Sequence, residues 1–145
     1  MNSVERAFSC KQCGDCCKGR GGIWIIKKEI EAISRYLNIT PKEFIKVYCE
    51  AKNGHYYIKE KEIEGQAVCI FLKKNGDCAI HPCKPLPCRL WPFWKAILKS
   101  EIEWRIAMNV CPGINPKVSF AQFVKEGEIY RQRILGNQVD ERKHL

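Results

Sequence analysis

The sequence predicts an α+β fold: a small antiparallel sheet, two or three helices, and metal-binding cysteine loops drawn together at one end. Three observations carry this expectation. Two segments open with helix-capping signatures, the middle of the chain changes to strand-like alternation, and ten cysteines in 145 residues exceed what a hydrophobic core asks for. The length suits one domain, taken as 1–136, followed by a polar, mobile tail over 137–145.

The first element is a cysteine knot, Cys10-Lys11-Gln12-Cys13-Gly14-Asp15-Cys16-Cys17, with four sulfurs in eight residues. Cysteines two residues apart can wrap one metal, because the turn between them points both thiolates to the same side. Cys16 and Cys17 are adjacent and diverge, so one of them is expected to serve a second site or another atom of a cluster. A basic turn, Lys18-Gly19-Arg20-Gly21-Gly22, follows, and Ile23–Ile26 reads as a short buried strand.

A first helix is expected from about Lys28 to Leu37, with Ile30, Ile33 and Leu37 on one face and Asn38 as its end. Thr40-Pro41-Lys42-Glu43 then combines a hydroxyl cap, proline at the first helical position and glutamate at the third, so a second helix turns Phe44, Ile45 and Tyr48 inward. Cys49 beside that face reads as a core residue. From Asn53-Gly54 the period becomes two, and Tyr56–Lys59 and Ala67–Leu72 read as strands separated by a turn through Gly65.

Cys69, Cys78, Cys83 and Cys88 follow in a stretch that Pro82, Pro85 and Pro87 should keep free of regular helix or central strand. Such a loop needs something besides its own hydrogen bonds to hold it, and a metal would serve. Phe93–Leu98 and Ile102–Ile106 suggest a hairpin around Lys99-Ser100-Glu101, with Ile102, Trp104 and Ile106 facing the core. Its end delivers Cys111-Pro112-Gly113. Ser119-Phe120-Ala121-Gln122 opens a last helix to about Leu135, its inner stripe Phe120, Phe123, Val124, Tyr130 and Ile134, with Gly136 as C-cap.

No apolar run near the N-terminus suggests a signal peptide, and no stretch approaches the length of a membrane span. A cytoplasmic location is therefore expected, where cysteine clusters are metal or redox centres rather than disulfides. The formal charge of +9 falls to about +5 if two four-thiolate sites each carry about −2. The remainder allows an anionic partner such as nucleic acid without specifying one.

Cys10-x2-Cys13-x2-Cys16-Cys17, then Cys69-x-Phe71-Leu72 leading to Gly76-Asp77-Cys78-Ala79-Ile80, then Lys84-Pro85-x2-Cys88-Arg89-x2-Pro92-Phe93, and Cys111-Pro112-Gly113-Ile114 together resemble the CxxCxxCC cysteine-cluster family, the YkgJ-like zinc- or iron-chelating proteins. The resemblance implies eight shared cysteines, here Cys10, Cys13, Cys16, Cys17, Cys69, Cys78, Cys88 and Cys111, as cofactor-binding metal ligands. Cys49 and Cys83 fall outside the pattern, and His81 and Lys84 stand where the family usually has tyrosine and arginine. The family implies a metal site and leaves the reaction open.

The run C-x2-C-x2-C resembles the start of a bacterial ferredoxin motif, whose distant cysteine is followed by proline, as Cys111 is by Pro112. Structural zinc sites instead pair one knuckle with another, and here the knuckles overlap at the N-terminus. The spacing favours an iron–sulfur cluster, [4Fe-4S] above all, with zinc as the alternative. Trp91, Phe93, Trp94 and Trp104 read as hairpin core, with shielding of a cluster as a second role. The expected function is an iron–sulfur protein that carries electrons or supports a redox or radical enzyme, its partner unspecified. The alternatives are a zinc-stabilised module for RNA or an acidic protein and, by family association alone, a protein-lysine methyl-transfer enzyme.

Overall fold

The computed structural model describes residues 5–10, 22–138, 140–142 and 145. Cys13, Cys16, Cys17 and the basic turn after them, up to Gly21, lie outside the described residues. Contacts divide the chain into two compact units, Gln12–Arg89 and a composite of Met1–Lys11 with Leu90–Leu145.

The Gln12–Arg89 unit holds two antiparallel sheets. Strands β1 (Trp24–Ile25), β2 (Cys49–Lys52) and β3 (His55–Ile58) form one in the order β1-β3-β2, and β4 (Glu60–Ile63) pairs with β5 (Gln66–Cys69) in the other. Both hairpins close on left-handed pairs, Asn53-Gly54 at φ 52° and 81° and Glu64-Gly65 at φ 51° and 81°. Two consecutive positive φ values match the twist of the flanking strands. The turn expected through Gly65 is the second of these, while β2 and β4 escape the sequence because their residues are mostly exposed.

Helix α1 (Lys27–Leu37) ends where expected, with Asn38 left-handed at φ 59° and its N–H returned to the last turn. Helix α2 (Pro41–Tyr48) starts on the Thr40 hydroxyl, which accepts from the Glu43 N–H at 3.1 Å. Their apolar faces meet the sheet in a core of Ile25, Ile30, Ile33, Phe44, Cys49, Ile58, Phe71 and Ile80. Phe71 stacks with Phe44 and Tyr48, at centroid separations of 6.2 and 5.0 Å.

The second unit is helical where a hairpin was expected. Residues 93–106 form no strands; α4 spans Lys95–Leu98 and α5 spans Glu101–Val110. The Ser100 hydroxyl accepts from the Glu103 N–H at 3.2 Å and caps α5. Over five residues, alternation and a 3.6-residue period sample overlapping positions, and the cap decides between them. Trp104 and Ala107, three apart, are each 4% exposed, whereas Ile102 and Ile106 are 71% and 52% exposed.

Helix α6 (Phe120–Leu135) is capped by Ser119, which accepts from Gln122 N at 3.1 Å, and ends at Gly136, φ 56°. Phe123 on α6 meets Phe93 and Trp104 at centroid separations of 5.0 and 5.8 Å. Gly127 permits this packing, since a Cβ there would lie 2.8 Å from Phe93 and Leu98 side-chain atoms. The tail is not free where it is described. Arg142 and Leu145 are 1% and 2% exposed, Arg142 is paired with Asp140 at 2.7 Å, and Arg131 donates to the Leu145 carbonyl oxygen. A polar composition hid this, because Arg142 is buried through its partner.

Small antiparallel sheets combined with helices make this an α+β protein. Among the described residues no helix is long and apolar enough to cross a membrane. The helical reading of residues 101–110 has a direct check in urea denaturation. Trp104→Ala should cost about 3 kcal/mol or more, while Ile102→Ala should stay within about 0.5 kcal/mol; comparable losses at both positions would indicate alternation instead.

Candidate metal centre

Seven cysteines lie among the described residues: Cys10, Cys49, Cys69, Cys78, Cys83, Cys88 and Cys111. Their placement follows from backbone pairing within each unit.

In the composite unit, the segment before the knot pairs antiparallel with the segment after α5. Phe8 bridges Ile114, Ser9 N–H donates to the Gly113 oxygen at 2.9 Å, and Asn115 N–H donates to the Ala7 oxygen at 2.9 Å. Cys10 follows Ser9 directly, and Cys111 lies two residues before Gly113. The first and last cysteines of the expected ligand set are thereby carried to one end of one ladder. Cys10 is exposed and Cys111 is 7% exposed.

Gly113 makes the approach possible: a Cβ there would sit 2.5 Å from the Ser9 oxygen, a backbone atom that cannot swing away. Two α6 side chains hold the same segment, Glu126 accepting from Ala7 N–H at 2.5 Å and Gln122 donating to the Glu5 oxygen at 2.8 Å. Sequence reasoning quoted Gly113 without a role and missed Glu126, since nothing local ties that carboxylate to Ala7.

In the other unit, a tight turn folds Cys78 back toward Cys69. Leu72 bridges Cys78, Ala79 N–H donates to the Phe71 oxygen at 2.8 Å, and Lys73 N–H to the Asp77 oxygen at 2.8 Å. Asn75 locks the turn by accepting from Asp77 N–H at 3.0 Å. Cys69, Cys78 and Cys83 all pack, partly buried, against the core of this unit. Burial, and after it the charge of nearby Cys78, pushes the Cys83 thiol above its ordinary pKa. His81 stands exposed at the start of a short 3-10 turn, His81–Cys83, consistent with a surface position.

The proline-rich stretch corrects an expectation. It was read as held by something other than its own hydrogen bonds and as closed to helix, yet α3 (Leu86–Leu90) carries Cys88. Cys83 N–H donates to Ile80 oxygen at 2.9 Å, and Cys88 and Arg89 N–H groups to Pro85 oxygen at 3.0 and 3.1 Å. Pro87 falls in the first turn, where an N–H has no helical partner to lose. Glu29 completes the support: one carboxylate oxygen accepts from Ile26 N–H at 3.1 Å and the other from Leu86 N–H at 2.6 Å. It ties the start of α1 to the start of α3. The sequence places Glu29 only as an acid in a first helical turn.

Cys49 is core, as expected, at 6% exposure. Burial, opposed by the Lys59 charge, pushes its thiol up to about 11. Among the described residues no three His, Cys, Asp or Glu side chains form a group that could hold a metal ion. The donor set is nonetheless soft and thiol-rich, which suits zinc or iron–sulfur chemistry over calcium or magnesium.

Comparison with known proteins agrees on the chemistry. The family described as "CxxCxxCC: Putative zinc- or iron-chelating domain" matches residues 9–112. Over 89 residues, 60% of this chain, the sequence is 42% identical to the uncharacterized protein MJ0661 of Methanocaldococcus jannaschii; the match covers 45% of that protein, so the chain spans less than half of the relative's length. No solved structure matches.

Two outcomes test the supports of the cysteines. Glu29→Ala, which leaves the Ile26 and Leu86 N–H groups without their carboxylate, should cost on the order of 1–3 kcal/mol by denaturant titration. A thiol whose pKa rises on folding favours the folded state while protonated. The Cys49 contribution is therefore present below about pH 9 and lost as the pH climbs through about 11. Stability measured across that window should fall less steeply in Cys49→Val than in the parent chain.

Proposed function

Because the chain belongs to the CxxCxxCC family of zinc- or iron-chelating domains, we propose that it is an iron–sulfur protein of the cytoplasm, serving electron transfer or supporting a redox or radical enzyme. The proposed ligands are the thiolates of Cys10, Cys13, Cys16, Cys17, Cys69, Cys78, Cys88 and Cys111. A bound [4Fe-4S] cluster supplies reversible one-electron chemistry at a potential set by its ligands, nearby hydrogen bonds and exposure. The protein's part is to hold the thiolates and to limit access of water.

The observation that carries the reading is the ladder between residues 7–9 and 113–115. It runs the chain just before Cys10 beside the chain just after Cys111-Pro112, which supports a ferredoxin-like pairing of near and distant cysteines. Apolar surroundings support it too, since Cys111 lies in a unit whose core includes Trp91, Phe93, Trp104 and Ile114. Such surroundings restrict solvent and tune the potential of a bound cluster.

Zinc is the second reading, favoured by one observation: backbone bonds and Glu29 already order the second cysteine stretch, so a closed-shell ion suffices to complete it. That protein would be colourless and redox-silent, acting as a binding module for an anionic partner.

Purification without oxygen, followed by iron, sulfide and zinc analysis and a visible spectrum, decides between them. The expected result is a brown protein whose absorption bleaches on reduction. Cys13→Ser and Cys111→Ser should lose the metal, and Cys49→Ser and Cys83→Ser should keep it. Gly113→Val, which cannot fit beside the Ser9 carbonyl, should lower metal content although it removes no ligand. A colourless zinc protein would overturn the iron–sulfur assignment, and a metal-free one would overturn both.

A further inference from the structure

The composite unit contains a cavity of about 270 Å³ to which the metal reading gives no role. Two elements build it. The extended segment 6–8 turns Arg6 and Phe8 toward it, while Ala7 between them is fully buried. Helix α6 contributes Glu126, Ile129, Tyr130 and Arg133, spaced i, i+3, i+4 and i+7 on one helical face. Phe93 joins them, with its ring centroid 6.0 Å from Phe8 and 5.5 Å from Tyr130, so the three rings form a continuous aromatic wall.

The charges around this wall are unequally engaged. The Glu126 carboxylate is committed to Ala7 N–H. Neighbouring Arg131 is likewise committed, donating to the Phe93 oxygen at 2.9 Å and to Leu145. The guanidinium groups of Arg6 and Arg133 are exposed and have no hydrogen-bond or ion-pair partner among the described residues. Ile129 beside them leaves 54% of its surface exposed. The lining therefore combines two forked donors uncommitted among the described residues, a net positive charge and an aromatic wall whose rings meet edge-on and tilted, at 83° and 51°.

We propose that this pocket binds a small planar anion: one aromatic ring system carrying a phosphate or carboxylate. Guanidinium groups match both oxyanions through paired N–H donors, and the ring gains from stacking or edge contact with Phe8 and Tyr130. A volume of about 270 Å³ lies at the small end of ligand sites, which run from roughly 300 to 1,000 Å³. A mononucleotide-sized ligand fits that size, and a dinucleotide cofactor exceeds it. The site is built without any cysteine, so it stands whichever metal the protein holds.

Calorimetric titration of the full, metal-loaded chain tests this, with adenosine 5′-monophosphate and benzoate as probes and adenosine and inorganic phosphate as controls. At least one probe should bind saturably at one site, more tightly than either control. Arg6→Gln and Arg133→Gln, both surface changes, should each weaken it by about tenfold, with the metal spectrum and circular dichroism unchanged. Binding of the monophosphate alone assigns a phosphate ligand, and of benzoate alone a carboxylate. The proposal is overturned by the absence of saturable binding, by adenosine or phosphate binding as tightly as the probes, or by equal weakening in Lys117→Gln, a basic residue outside the cavity.

Discussion

The architecture depends on one constraint: a segment at the start of the chain must lie antiparallel against a segment that follows α5. The ladder formed by residues 7–9 and 113–115 is short, yet the composite unit is composite because of it. Bringing together residues so distant in sequence carries a loop-closure cost that one bridge and two backbone bonds cannot offset alone. The remainder comes from α6, whose Glu126 and Gln122 bind the same segment, and from burial of Ala7 and Ile114. Gly113 is where the constraint becomes absolute, since the approach of the Ser9 carbonyl leaves no space for a side chain.

Cysteine placement follows the same logic in the other unit. Thiolates need to be presented by a backbone that would hold its shape without them, or their convergence would itself have to offset the entropy of a disordered loop. The turn at Asn75–Asp77, the successive turns from Cys78 to Cys83 and the Glu29 bridge supply that shape. The two Glu29 oxygens each satisfy a helix-start N–H group, one just before α1 and one on the first residue of α3. The second cysteine stretch thus keeps a shape that its own backbone bonds and Glu29 supply.

The two cysteines outside the family pattern behave differently from one another. Cys49 is a core side chain whose thiol is held protonated by burial, and it contributes as a small apolar group would. Cys83 packs partly buried against the core, and burial, and after it the charge of Cys78, pushes its thiol up.

Much of this was legible in the sequence because the relevant physics is local. Thr40 and Ser119 announced α2 and α6, and Asn38 and Gly136 closed α1 and α6, since a cap satisfies backbone groups within a few residues of itself. Spacing and residue type likewise pointed to zinc- or iron-chelating chemistry, because soft donors at two-residue intervals suit such metals, and the family match over residues 9–112 agrees. The α5 segment was misread because five alternating residues fit two periods equally, and what separates them is the Ser100 cap together with packing of Trp104 against Phe120 and Phe123. The partnership of Glu29 with Leu86, of Glu126 with Ala7 and of Phe8 with Ile114 had no local trace at all. Those pairings join residues far apart along the chain, and they exist only once the core has brought the backbones within hydrogen-bonding distance.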